Sequence, residues 1–346
     1  MTIGWRRIRN NFFTTLLLAA IVLVGFAMQA IHAEAALSTD GDLKISMLRV
    51  GHGDALLIQT KEQTILIDAA NPKKSRALLK ELKKLSVTKI DKLILTHPHA
   101  DHIGNAQALI NPNQKELSDN PYLKKISVAA VYDNGVASAS PFYKSYNDAI
   151  VAKKIPCTAL KAGDTLDFGG GVKFKILFPT SAFVAKVTSL QADRQKKHYN
   201  INNGSIVGRL TYKNFSMMFT GDCEQESEAK ILAANNVADL KCDVLKSGHH
   251  GIRTSSTKDF VKAVKPDYVL ISAATMKKNI GAVGHPHLES LQNYLAEGVD
   301  KNHIYCTRWN GTITVVSDGK DFSVTPERKE DWIDKWMAQK QQEAKK

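Results

Sequence analysis

Thr96-His97-Pro98-His99-Ala100-Asp101-His102-Ile103-Gly104 follows directly on the apolar run Leu93-Ile94-Leu95. An apolar run that ends in three imidazoles and a carboxylate reads as a buried strand that stops and delivers metal ligands. Imidazole nitrogens and carboxylate oxygens suit zinc or a similar borderline cation, and alternate residues of an extended turn can aim two side chains at one ion. His97 and His99 are therefore candidates for a first metal. Asp101 and His102, where the chain turns into a helix, are candidates for a second, about 3.5–4 Å away as in other two-metal sites. A surface loop that is merely histidine-rich is the competing reading. It does not account for four potential ligands in six residues straight after a buried strand.

Other apolar runs end in the same way. Ile65-Leu66-Ile67 runs into Asp68, and Ser216-Met217-Met218-Phe219-Thr220-Gly221 runs into Asp222. A carboxylate can bridge two cations through its two oxygens; the competing role for Asp222 is to cap the helix expected over 224–232. Val244-Leu245-Lys246-Ser247-Gly248 leads to His249-His250-Gly251, and Gly284-His285-Pro286-His287 supplies two further imidazoles.

The pattern His-x-His-x-Asp-His followed by Gly resembles the signature of the metallo-β-lactamase fold family, and the resemblance extends over residues 45–320. Within that family it is nearest to the hydrolase domain of ComEC, the bacterial competence DNA-uptake channel protein. Val50-Gly51-His52-Gly53-Asp54-Ala55 resembles its Val-Gly-Gln-Gly-Asp-Ala opening, with His52 in place of Gln. That departure either brings an extra imidazole near the metals or satisfies a hydrogen bond in the turn, and the turn hydrogen bond is the expected one. Asn202-Asn203-Gly204-Ser205 resembles the Asn-Asn-x-Ser segment, and Leu245 to Gly251 resembles Leu-Lys-x-x-His-His-Gly-Ser, with Ile252 where Ser is common. Gly284 to His287 resembles a Tyr-Gly-His-Pro-His loop, with Val283 for Tyr.

The resemblance implies an α/β fold, a four-layer αβ/βα metallo-β-lactamase sandwich over residues 40–325, with two divalent metal ions at one edge of its sheets. Zinc is the expected metal and Mn2+ the alternative. The implied ligands are His97, His99, Asp101, His102, Asp222 and His249, with His285 as the alternative to His249. Asp68, Asn203, Ser205 and His287 are expected to support the ligands or to contact substrate. The family's third histidine on the first metal is lacking in ComEC-like domains; His198, the one histidine between His102 and His249, is the alternative ligand there. The implied reaction is metal-assisted hydrolysis, in which a hydroxide bridging the ions attacks phosphorus or a carbonyl carbon. Asp101 and Asp222 would orient it, and His285 or His250 would stabilise or protonate the departing oxygen. DNA is the expected substrate. The alternatives are an extracellular esterase acting on phosphocholine or teichoic acid, marked by an aromatic cage from Tyr199, Phe215 or Trp309, and a noncatalytic polyanion-binding surface protein. A β-lactamase does not fit, because the third-histidine pattern is missing.

Composition agrees with an anionic partner. The 346 residues carry a formal charge of +13, which favours nucleic acid, a cell-wall polymer or anionic headgroups over an acidic or neutral macromolecule. Arg6, Arg7 and Arg9 precede the apolar run 12–31, and Ala33-Glu34-Ala35 reads as a cleavage site. Residues 1–35 are thus expected to be a signal peptide, or an uncleaved membrane tether through 12–31, and the protein to be exported. The four cysteines, at 157, 223, 242 and 306, are scattered and specify no disulfide.

Elsewhere the pattern predicts strands near 43–48, 55–59 and 64–67, then a helix over 72–85 with Leu78, Leu79, Leu82 and Leu85 on one stripe. A helix is expected around 141–154, a hairpin around Gly169-Gly170-Gly171, and a mobile loop over 184–199. The segment 326–346 is expected to be a charged helix with Trp332, Ile333, Trp336 and Met337 aligned.

Overall fold

The computed structural model describes residues 42–112, 120–192, 201–274 and 284–344. The expected leader or tether within 1–35, the candidate ligand His198, and Tyr199 and Val283 lie outside the described residues.

An alternating stretch in β1 and short apolar runs in β2 and β3 build the first strands. Leu43, Ile45 and Met47 of β1 (Leu43–Met47), Leu56 and Ile58 of β2 (Leu56–Thr60), and Ile65 and Ile67 of β3 (Thr64–Ile67) share one apolar cluster. Side chains two apart on a strand face the same way. A short β4 (Lys89–Ile90) is followed by β5 (Lys92–Ile94), β6 (Ser127–Val128), β7 (Val131–Asp133) and β8 (Cys157–Ala159). Then come β9 (Thr165–Asp167), β10 (Lys173–Phe178), β11 (Val207–Tyr212), β12 (Phe215–Phe219), β13 (Val244–Lys246), β14 (Tyr268–Ile271) and β15 (Ile304–Cys306). The chain closes with β16 (Ile313–Ser317) and β17 (Phe322–Pro326).

These strands form an eight-stranded sheet ordered β17-β16-β1-β2-β3-β5-β7-β8 and a seven-stranded sheet ordered β15-β14-β13-β12-β11-β10-β9. In the first, β3, β5 and β7 run parallel. In the second, β12 to β15 run parallel. Each sheet thus has one edge to which parallel strands bring their carboxyl ends.

Three apolar clusters define the layers. Between the sheets, Ile45, Ile67, Leu210, Met217, Phe219 and Leu270 interdigitate. The outer face of the first sheet, with Leu57, Leu66 and Leu93, is covered by helix Ser75–Lys84 through Leu78 and Leu82 and by helix Pro141–Lys153 through Ile150. Burying each such leucine contributes about 1.5–3 kcal/mol, which fixes the helical stripe seen in the sequence. The outer face of the second sheet, with Met218, Leu245 and Val269, is covered through Ile231, Phe260 and Leu291. The architecture is the expected α/β four-layer sandwich.

Two segments depart from expectation. Ser181–Ala192 is a helix where a mobile loop is predicted from residue 184. Its buried stripe consists of Phe183 and Val187, with Phe183 lying 4.8 Å from the Phe178 ring. Phe183, Val184, Val187 and Leu190 do stand at helical spacing, and starting the expected loop at Val184 cuts off the first turn of that pattern. The terminal helix, Ile333–Ala344, is preceded by the unpredicted strand β17. It docks through Trp332, Ile333 and Trp336, with Trp332 stacked 4.3 Å from Trp309. The four cysteines are free, and Cys223, Cys242 and Cys306 are buried. Among the described residues no helix is long and apolar enough to cross a membrane.

Candidate metal centre

Five strand ends meet at one place. β3 ends in Asp68, β5 in Thr96 and the histidine loop, β12 in Asp222, β13 in His249 and His250, and β14 in Ser272. Ligand sites collect at the carboxyl ends of parallel strands because the loops there converge. Two glycines permit the close approach. A Cβ on Gly104 would fall 2.2 Å from Pro72 Cδ, and one on Gly53 would fall 2.3 Å from the Asp101 carbonyl oxygen. The tip of β13 is bent by two left-handed residues, His249 at φ 42° and His250 at φ 56°. Such backbone is costly outside glycine and is held here by the surrounding packing.

Among the described residues the donor atoms form four groups. His52 with Asp101 and His250 is one, Asp54 with Asp68 and His102 is another, and the remaining two share Asp222. His97, His99 and Asp222 form one, and His102, His250 and Asp222 the other, each with one ligand atom per residue and all within 4.8 Å. Asp222 Oδ2 lies 3.1 Å from His102 Nε2, 3.6 Å from His250 Nε2 and 3.7 Å from His97 Nε2. Asp101 Oδ2 lies 3.4 Å from His250 Nε2. On the other side, His97 Nε2 and His99 Nδ1 face each other at 2.9 Å.

Partners on the far side of each ring set its orientation. Asp68 accepts from the Thr96 amide at 2.8 Å and from the Thr96 hydroxyl at 2.7 Å, and its Oδ2 lies 2.7 Å from His102 Nδ1. His250 Nδ1 lies 2.9 Å from the Ser272 carbonyl oxygen, to which it donates, so Nε2 is the nitrogen turned toward the centre. The Ser205 hydroxyl accepts from the Asp222 amide at 3.0 Å. Carboxylate and carbonyl partners of this kind fix the tautomer of a metal-binding imidazole.

The electrostatics call for a cation. Burial opposes charge on His250, yet Asp222, Asp54 and Asp101 overcome it and push the ring up to about 10. His102 is raised well above its ordinary value against the same burial, by Asp222 and Asp68. His97 and His99 are pushed down by burial. His102 Nε2, His250 Nε2 and Asp222 Oδ1 are buried without a hydrogen-bond partner. Unpartnered buried imidazole nitrogens and a carboxylate oxygen gathered around Asp222 fit a borderline divalent cation that displaces the ring protons.

The structure bears on two of the assignments. His249, the expected ligand beside Asp101 and His102, yields that place to His250. The two left-handed residues turn the adjacent rings apart, so His250 is fully buried and His249 sits at the rim with Nδ1 2.9 Å from Glu224 Oε1. His249 Nε2 remains 3.5 Å from Asp222 Oδ2. His285, offered as a ligand or a general acid, has both ring nitrogens buried and unpartnered and is pushed down to about 2 by burial and by four neighbouring imidazoles.

The remaining candidates support the centre. His287 stacks on His285 at 5.0 Å and accepts from the Arg253 amide at 3.3 Å. Asn203 accepts from the Ser227 hydroxyl at 2.8 Å, at the start of helix Gln225–Ala234. Cys223 donates to Ser227 at 3.2 Å and takes no part in the donor groups. Phe215 packs with Phe322 inside the sandwich and Trp309 packs with Trp332 and Trp336 on its outer side, so the two form no aromatic cage. Sequence reading assigned no role to Lys246, whose ammonium lies 2.5 Å from Asp54 Oδ2 and donates to the Gly221 carbonyl at 2.6 Å. Burial would raise Asp54, but Lys246 and His250 outweigh it and hold the carboxylate down. A lysine in a strand of Val and Leu was the available signal.

The model of the metallo-beta-lactamase superfamily matches residues 48–116, which include the whole histidine loop. The fold and the donor groups agree with that match, and over those residues the chain is similar to the metallo-β-lactamase superfamily. It is related to competence proteins. ComE operon protein 3 of Bacillus subtilis (strain 168) is 26% identical over 295 residues, 80% of this chain and 33% of that protein. Competence protein ComA of Neisseria gonorrhoeae is 24% identical over 277 residues, 80% of this chain and 32% of that protein. The chain therefore spans about a third of the length of these relatives. Among solved structures, the metallo-β-lactamase fold protein YhfI from Bacillus subtilis is 14% identical with a TM-score of 0.47, covering 77% of this chain and 97% of that one.

Proposed function

We propose that this chain is an exported phosphodiesterase that holds two divalent ions, zinc or manganese, and cleaves DNA. The observation that carries the substrate is a cleft of about 420 Å³ lined by Arg49, Lys74, Lys80 and Arg308, with Glu81 the one carboxylate in its wall. Gly51 and Ala273 form part of its wall; they are the chain neighbours of His52 and Ser272. Among the described residues Arg49, Lys74, Lys80 and Arg308 have no ion-pair partner, and Arg308 is steadied 4.5 Å from the Trp309 and Trp336 rings. Unpaired cations in a cleft whose wall adjoins the His52 turn and Ser272 suit a phosphate backbone. The basic n-region and apolar run at the start of the chain support export.

His97, His99 and Asp222 would hold one ion, and Asp101, His102, His250 and Asp222 the other. When bound, the ions supply Lewis-acid polarisation of the phosphoryl group and a water-derived nucleophile near neutral pH. Asp68, Thr96 and Ser272 keep the imidazoles aimed, Lys246 neutralises Asp54 beneath them, and Asp101 and Asp222 hold the centre's negative charge. His285, with both ring nitrogens unpartnered, faces a phosphoryl or departing oxygen. The cleft cations hold phosphates flanking the scissile bond.

The test offers the metal-loaded chain single- and double-stranded DNA beside a phosphocholine ester. Cleavage of DNA with the ester intact supports the proposal. Turnover of the ester alone would replace the substrate, and turnover of neither by metal-replete protein would leave a polyanion-binding role.

A further inference from the structure

We infer that His52 is a protein ligand of the ion held by Asp101 and His250. The turn that carries it lies between β1 and β2 and is clamped onto the histidine loop. Gly53 has φ 121° and meets the Asp101 carbonyl so closely that a Cβ there would be 2.3 Å from its oxygen. The Asp54 amide donates to that same carbonyl at 3.1 Å. With the backbone so placed, the imidazole lies over the centre: His52 Nε2 is 3.5 Å from Asp101 Oδ2, and the ring centroid is 4.4 Å from that of His250. The expected hydrogen bond within the turn is not formed. His52 Nδ1 is buried and has no partner.

Donor spacing argues for ligation. Ligands about 2.1 Å from zinc at a tetrahedral angle sit roughly 3.4 Å from one another. The His52 to Asp101 separation is 3.5 Å, the Asp101 to His250 separation is 3.4 Å, and the three donor atoms lie within 4.8 Å of one another. An imidazole that served only to fill the turn would have no reason to match that spacing while leaving its other nitrogen bare. With His102 and Asp222 in reach of His250, this side of the centre has more protein donors than the side with His97 and His99. The two ions are therefore held unequally, and the one beside His97 and His99 exchanges first.

The inference rests on the metal centre and not on DNA as substrate, so it is read without substrate. The full chain and its His52→Gln and His97→Ala variants are titrated with Co2+ against a chelator, following the visible absorption band. His52→Gln is expected to weaken the tighter equivalent at least about 10- to 100-fold, comparable with or beyond the loss of a supporting group, and to shift its band. His97→Ala should weaken the other equivalent. Thermal melts of the metal-free variants check that each folds. Wild-type affinities and an unchanged band in a folded His52→Gln would overturn the assignment.

Discussion

Asp68 Oδ2 lies 2.7 Å from His102 Nδ1, and both groups are fully buried. The other Asp68 oxygen takes the Thr96 amide, so one carboxylate fixes both the start of the histidine loop and the ring that faces Asp222. Asp68→Ala should lower metal affinity about 10- to 100-fold, the usual effect of removing a carboxylate behind a histidine ligand. Chelator competition checks it. Unchanged affinity in a folded variant would show that the loop holds its shape without Asp68.

Lys246 and Asp54 form a buried pair 2.5 Å apart. Removing one partner leaves the other charge uncompensated, at a cost of about 3–5 kcal/mol. Lys246→Met should therefore lower the urea midpoint by the corresponding amount, and Lys246→Met with Asp54→Leu should recover part of it. A single variant as stable as wild type would rule out the pairing as a source of stability.

Glu228 gives the fold a pH dependence away from the metals. It accepts from the Thr257 amide at 2.9 Å and the Thr257 hydroxyl at 2.6 Å, at the start of helix Lys258–Val264. Burial pushes it up to about 7 from 4.5, against these hydrogen bonds. The native state keeps a proton that the unfolded chain releases, so stability falls as pH rises from about 4.5 to 7, by on the order of 3 kcal/mol. Denaturant midpoints at pH 5 and 7.5 should show that fall in wild type and a smaller one in Glu228→Gln. Equal slopes would remove Glu228 as the cause.

The cleft cations separate binding from chemistry. Lys74→Ala and Lys80→Ala should each weaken DNA binding and reduce the salt slope by about 0.9 for every duplex phosphate no longer neutralised. Hydrolysis of a small diester such as bis-p-nitrophenyl phosphate should stay within about twofold. An unchanged salt slope would place the DNA elsewhere.

The sandwich was legible because alternating strands such as Leu43-Lys44-Ile45-Ser46-Met47 and the leucine stripe of 78–85 carry the periods of their elements. The histidine loop was legible because its ligands are local in sequence. The choice between His249 and His250 was not: they are neighbours, and a left-handed turn at the end of β13 decides which ring is buried. Lys246 and Glu224 were also out of reach, since their roles exist only through partners 192 and 25 positions away, Asp54 and His249. His52 was visible as a departure from pattern, but only the clamp of Gly53 on Asp101 shows where its ring goes.

If the carboxylates and imidazoles gathered around Asp222 hold the ions that make this chain a hydrolase of DNA, cleavage must follow metal loading and must depend on Asp222. The decisive experiment is the rate of cleavage of labelled DNA by the purified, metal-stripped chain as Zn2+ or Mn2+ is titrated in, beside Asp222→Ala. The rate should rise with metal, saturate at stoichiometric binding, and fall by more than about 100-fold in Asp222→Ala, since a shared ligand should cost more than a supporting group. A rate that stays at zero in the fully loaded chain, or one that Asp222→Ala leaves unchanged, would refute both the assigned centre and its substrate.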